Sequence, residues 1–201
     1  MADIVRLRAQ DGTAIEYVDQ VIGTGAMKEV YFTPDKRHVV AFYMQPVDAP
    51  GQERLAMIVG DYRERIFAAA HGDYWRRLFC WPERIVEDQK GRLGMLMPSY
   101  PGHFFFQYGS VREDFLGIKD KEKEGKWFST PANRLGRLHE QERGHWLNYL
   151  RICLNIARAV RRLHAAGLAH SDLSYKNVLI APTVNRACVI DCDGLVVPGK
   201  Y

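Results

Sequence analysis

In the stretch His170-Ser171-Asp172-Leu173-Ser174-Tyr175-Lys176-Asn177, an aspartate and an asparagine stand close enough to be presented from one loop. A carboxylate so placed can accept the proton of an attacking hydroxyl, while the asparagine amide oxygen holds a metal ion. A second group, Val189-Ile190-Asp191-Cys192-Asp193-Gly194, puts two carboxylates where a strand breaks into a glycine turn. Hard oxygen ligands at such a point suit Mg2+ bridging phosphates. A third group, Ile22-Gly23-Thr24-Gly25, lies between two strand-like runs, where glycine backbone can lay its N–H groups over phosphates. Taken alone, Gly-Thr-Gly is any tight hairpin.

These groups need elements to position them. Residues 13–47 alternate short β-type runs with turns and predict an antiparallel three-strand start: AIEYVDQVIG, then EVYFT, then HVVAFYM after the turn at Pro34. From Gln52 to about Ala70 the residues Leu55, Ile58, Val59, Tyr62, Ile66 and Ala69 recur at helical spacing. Two strand-like runs around Glu83–Glu87 and Leu93–Met97 flank a turn at Asp88-Gln-Lys-Gly, a hairpin signal. Residues 102–144 are irregular, and the charge run KDKEKEGK from Lys119 reads as a solvated loop. His145 to Ala166 carries an apolar residue every third or fourth position and is closed by Gly167, which predicts a long buried helix with a glycine stop. Strands NVLIA and ACVIDCDG follow the Asp172 loop.

Composition bounds the class. With 201 residues, 47% apolar and 26% charged, the chain has material for one or two cores and is neither disordered nor fibrous. The net charge of +4 is scattered, which suits a phosphate ligand and argues against nucleic acid as a partner. No apolar run of about 18 residues occurs, so no membrane partner and a cytoplasmic location are expected. The four cysteines form no CxxC pair and read as reduced thiols, without zinc.

Glycine loop, Asp/Asn loop and Asp-Cys-Asp occur in an order, over residues 20 to 195, that resembles the protein-kinase superfamily. The resemblance implies an α+β fold. Residues 1–98 would form an N-terminal lobe, an antiparallel sheet with one helix; residues 99–201 would form hinge, insertion and the start of a helical C-lobe, truncated after the metal motif. It implies ATP and Mg2+ as cofactors, with Asp172 the catalytic base and Asn177 and Asp191 the metal ligands, Asp193 a second. Ile22, Gly23, Thr24, Gly25, Val30 and Ala41 would cover the nucleotide, with Met97 near the gatekeeper position and Ser99 in the hinge.

The departures matter as much. Where such kinases carry a third-strand lysine, this chain has Val40-Ala41-Phe42-Tyr43. GTGAMKEVY instead resembles the with-no-lysine kinases, which makes Lys28 the catalytic lysine, a flexible point charge able to reach the phosphates from the neighbouring strand. Its helix carboxylate would be Glu64, with Asp61 second; Glu53, at the helix start, is explained by the helix dipole. Ser171 replaces the usual arginine, and Lys176 would bring charge to the γ-phosphate. The strings GTGAMKEVYF, HSDLSYKNVL and IDCDGLVVPG are similar to bacterial kinases of tellurite-resistance and stress clusters. Three activities stay open: a Ser/Thr-type protein kinase, a nucleotide-binding pseudokinase scaffold and a small-molecule phosphotransferase. The long helix would expose an apolar face, so a protein substrate or partner protein covering the missing C-lobe surface is expected.

Overall fold

The computed structural model describes residues 3–68, 70–128 and 135–199. Its first half is built on a five-stranded antiparallel sheet in the order β3-β4-β5-β7-β6. The strands are β3 (Val21–Thr24), β4 (Lys28–Phe32), β5 (His38–Tyr43), β6 (Arg84–Glu87) and β7 (Leu93–Pro98). Strand β5 is buried on both faces, and its period-two alternation divides its side chains between two cores. Val40 and Phe42 face one way, into a cluster with Tyr17, Tyr31 and Leu96; Val39 and Ala41 face the other, against Met95, Met97 and Leu179. Gly94 is fixed by this packing, because a Cβ there would lie 2.6 Å from the Phe42 ring and 2.7 Å from the Ala41 carbonyl.

The run AIEYVDQVIG divides into two strands. Its first part is β2 (Ala14–Val18), which pairs antiparallel with β1 (Ile4–Arg8), a strand that sequence reasoning did not mark. This hairpin lays Tyr17 edge-on against Tyr31 and Phe42, with ring centroids 5.2 and 5.5 Å apart, and covers the outer sheet face.

The expected single helix is three segments in series: α1 (Ala49–Met57), a π-helical stretch Ile58–Tyr62, and α2 (Arg63–Phe67). Asp48 caps α1 by accepting the Gly51 N–H at 3.0 Å. In the wider π turn the Ile58 carbonyl accepts the Trp81 indole N–H at 2.9 Å, so a side chain from outside the helix occupies an acceptor there. Leu55, Ile58, Tyr62 and Ile66 point inward. A short α3 (Gly72–Arg76) follows.

The second half rests on the helix Trp146–Ala165. It ends as predicted at glycine: Gly167 takes φ +85°, its N–H donates to His164 O, and the Leu168 N–H reaches back to Leu163 O, both at 2.9 Å. Only one face is buried. Ile152, Ala159 and Leu163 are covered, whereas Trp146, Leu150 and Leu154 are 71%, 58% and 49% exposed. Next come β8 (Ala169–His170), β9 (Val178–Ala181), β10 (Arg186–Val189) and β11 (Leu195–Val196), paired β8 with β11 and β9 with β10.

The charge run differs from expectation. Lys123 is buried and its ammonium meets Glu142 at 2.7 Å, while the other Glu142 oxygen accepts the N–H groups of Gln107 and Tyr108 at 2.6 Å each. The Lys123 carbonyl takes the Ile180 N–H at 2.9 Å. The run begins as an exposed turn at residues 119–121 and then docks on β9 through Glu124 and Leu179, because a buried acid supplies Lys123 with the counter-charge that solvent would otherwise provide.

The halves share one core. Ile58, Tyr62 and Ile66 from the first pack with Ala159, Leu163 and Leu195 from the second. Main-chain bonds join them as well: Cys80 N–H to Val189 O at 2.9 Å and Val189 N–H to Leu78 O at 2.8 Å.

Candidate active site

Lys28 is the first residue of β4 and lies directly opposite Tyr43, the last of β5. Strand alternation turns Lys28, Val30 and Tyr43 toward the second half, on the same sheet face as Ala41. There the Lys28 ammonium is held at 2.8 Å by Asp191 Oδ1 and at 2.7 Å by Asp193 Oδ2. The Tyr43 hydroxyl donates to the same Asp193 oxygen at 2.6 Å. Burial works against charge at Lys28, but the Asp193 and Asp191 carboxylates outweigh it and hold the ammonium above its ordinary value. Burial likewise raises the Asp193 carboxyl, and the Lys28 ammonium more than reverses it. The Tyr43 phenol is kept neutral by burial and by the adjoining Asp193, so it remains a donor.

Asp191 adopts a left-handed backbone, φ 60° and ψ 38°. This costs a non-glycine residue energy and is held here by its surroundings. The Ile190 N–H donates to the Asn177 carbonyl at 3.0 Å, and His170 Nε2 meets Ile190 O at 2.9 Å. Ser171 Oγ donates to Gly194 O at 3.1 Å. The Asp172 loop and the Asp191 turn are therefore one bonded unit, closed by the β8–β11 pair.

Within the loop, Asn177 Nδ2 donates to Asp172 Oδ2 at 2.9 Å and to the Asp172 carbonyl at 2.8 Å. The asparagine amide oxygen accepts no hydrogen bond among the described residues and is left open as a ligand. Asp172 is exposed, and Leu173 and Tyr175 beside it are 41% and 53% exposed.

On the sheet face that bears Lys28, the residues Val30, Ala41 and Met97 pack with Leu179 and Ile190 in one apolar cluster. In the glycine turn, the Gly25 N–H closes on the Lys28 carbonyl at 2.9 Å. Ile22, Gly23, Thr24 and Gly25 are exposed. A Cβ at Gly23 would meet nothing within 4 Å, so the backbone is open on that side.

Glu64, its alternative Asp61 and Ser99 are placed differently from expectation. Glu64 is exposed and does not reach Lys28: it lies two residues from each of the inward Tyr62 and Ile66, hence on the opposite helix face. Asp61 is exposed too, and the lysine's partners are Asp191 and Asp193. Ser99 turns away from the cleft, its hydroxyl donating to Lys36 O at 2.8 Å and its N–H to Arg37 O at 3.0 Å. Lys176 is exposed and its ammonium makes no ion pair among the described residues. Tyr43 was not marked by sequence reasoning; the register of β4 against β5 is what sets it opposite Lys28.

Residues 123–194 match the model of the lipopolysaccharide kinase (Kdo/WaaP) family. No curated protein matches. Among solved structures, a rhoptry kinase from Toxoplasma gondii is similar at 15% identity and TM-score 0.53, covering 99% of this chain and 52% of that one. Vaccinia related kinase 3 is similar at 9% identity and TM-score 0.54, covering 95% and 51%. The kinase domain of a Toxoplasma gondii specific rhoptry antigen is similar at 14% identity and TM-score 0.55, covering 98% and 55%. The chain thus spans about half the length of the solved kinases it matches. The fold is that of the protein-kinase-like superfamily, a kinase-like phosphotransferase fold.

Proposed function

We propose that the protein is a phosphotransferase that moves the γ-phosphoryl group of Mg-ATP to the hydroxyl of a protein serine or threonine. The observation that carries this reading is the convergence of Asp191 and Asp193 on the Lys28 ammonium, on the same bonded unit as Asp172 and Asn177. Two carboxylates that already gather one cation at under 3 Å have the hard-oxygen character that Mg2+ requires. Asp191, Asp193 and the open amide oxygen of Asn177 would hold that ion, which neutralises phosphate charge. Val30, Ala41 and Met97 would enclose the adenine, and the glycine turn, its backbone open at Gly23, would lie over the phosphates. Lys28 supplies positive charge to the phosphates, and Asp172 takes the proton of the acceptor hydroxyl. Positioning and charge stabilisation are nearly all that this transfer demands.

A macromolecular acceptor is favoured because Asp172 is exposed and does not itself line the cavity of about 410 Å³ that its neighbours Leu173 and Tyr175 border. The exposed stripe Trp146, Leu150 and Leu154 would be covered by a partner protein surface. A sugar hydroxyl is the second reading, favoured by the Kdo/WaaP match across the Asp172 loop and the Asp191 turn. ATP turnover, autophosphorylation and transfer to casein-type and sugar acceptors are compared for the protein and for Asp172→Ala. Transfer that disappears in the variant supports the reading, and the acceptor that is labelled decides between protein and sugar. Equal rates in the two proteins would end it, and nucleotide binding without turnover would mean a pseudokinase scaffold.

A further inference from the structure

Beside the segment Pro98 to Pro101 lies a cavity of about 300 Å³. None of Lys28, Val30, Ala41, Asn177 or Asp191 lines it. Its floor is apolar: Phe79 and Phe104 are 3% and 2% exposed, with Tyr100 and two prolines at the sides. Its charged lining is of one sign, Arg76 and Arg77 from the end of α3 and Arg186 from β10, with His103 between and no carboxylate.

The guanidiniums are not equally engaged. Arg76 faces Asp73 at 3.6 Å and lies over the Phe67 ring. Arg77 spends only its Nε, on the Asp73 carbonyl at 3.1 Å. Arg186 makes no side-chain hydrogen bond or ion pair among the described residues. No negative group balances them from below, because burial holds the Cys80 and Cys188 thiols protonated, the latter pushed up to about 12. Burial, then the nearby Arg186 and Lys123 charges, pushes His103 below its ordinary value, leaving a neutral ring able to donate or accept. Uncompensated guanidinium forks above an aromatic floor bind planar anions through paired N–H donors, with the apolar body packed beneath.

We propose that this cavity is a second small-molecule site, taking a flat apolar body that ends in a phosphate or carboxylate. The volume is at the lower end for small-molecule sites and fits a single ring with its acidic group. Because Arg77 and Arg186 come from opposite halves of the fold, an occupant braces the seam where Val189 accepts the Cys80 N–H and donates its own to Leu78. The site is separate from the nucleotide cleft and does not depend on the reading given for it.

Isothermal titration with phenyl phosphate and with benzoate, each with and without a saturating non-hydrolysable ATP analogue, tests this. At least one anion is expected to bind saturably whether or not the analogue is present, while neutral benzyl alcohol does not. Arg186→Gln should weaken that binding tenfold or more, the worth of a charged hydrogen-bonded pair, with the melting temperature of the free protein unchanged. If Arg186→Gln fails to fold, Arg77→Gln is read in its place. Failure of both anions to bind, displacement by the ATP analogue, or equal affinity in the arginine variant would overturn the proposal.

Discussion

Lys28 on β4 and Tyr43 on β5 converge on one carboxylate, that of Asp193. The ammonium comes from β4, and a neutral phenol standing across from it on β5 holds Asp193 at 2.6 Å. Replacing Lys28 with methionine removes a charge the proposed transition state needs, and turnover with Mg-ATP should fall on the order of 100-fold or more. Tyr43→Phe removes one donor and leaves the Lys28–Asp193 pair intact, so a smaller loss, about 10-fold, is expected. Steady-state kinetics on the two variants checks the order, and an undiminished rate for Lys28→Met would assign the charge to another group. Lys28 was legible because its place after the glycine turn resembled a known exception. Tyr43 was not, because a tyrosine closing an apolar strand reads as packing until its hydroxyl has a partner far along the chain.

The helices and loops show where periodic reasoning works and where it fails. The long helix and its Gly167 stop were readable because both signals are local, namely apolar spacing and a residue tolerant of positive φ. The first helix was readable in its inward residues but not in its π turn, whose partner is Trp81, remote in sequence. The charge run was misread because counting charges cannot reveal that Glu142 waits inside the fold for Lys123. The turn before it was also hidden, since its organiser is one side chain: Asp114 accepts the N–H groups of Ser110, Ile118 and Lys119 at 2.9, 3.1 and 2.8 Å. Slight burial raises the Asp114 carboxyl, but these donors bring it down to about 2. A depressed carboxyl stabilises the fold above its unfolded value of 3.8 and loses that contribution as pH falls through about 2. Asp114→Asn should therefore lower the melting temperature at neutral pH by about 2–4 °C, a modest effect for a partly solvated turn. The difference from the parent should shrink as melts are repeated toward pH 2; a gap that stays constant would assign the effect to packing.

Across the whole molecule, each half has an apolar cluster of its own, and a further cluster built from both joins them. Ile58, Tyr62 and Ile66 find their packing partners on the long helix, and Arg162 from that helix donates to the Ile66 carbonyl at 2.9 Å and the Arg65 carbonyl at 2.6 Å. Those carbonyls lie at the end of α2, where helix acceptors have no internal partners. Arg162→Met should cost about 1–3 kcal/mol by orphaning them while leaving a single unfolding transition, since the shared apolar cluster remains. Calorimetry checks both points, and two separated transitions in the parent protein would contradict the shared-core account. This fusion of halves was only partly visible in the residues. The order of motifs resembled a kinase fold, but nothing in a linear reading links Arg162 to Ile66 or Cys80 to Val189.

Because Lys28 follows the Gly25 turn within three residues and the Gly25 N–H closes on the Lys28 carbonyl, the glycine turn and its positive charge are mechanically one piece. Lifting that turn would draw the ammonium away from Asp191 and Asp193 together.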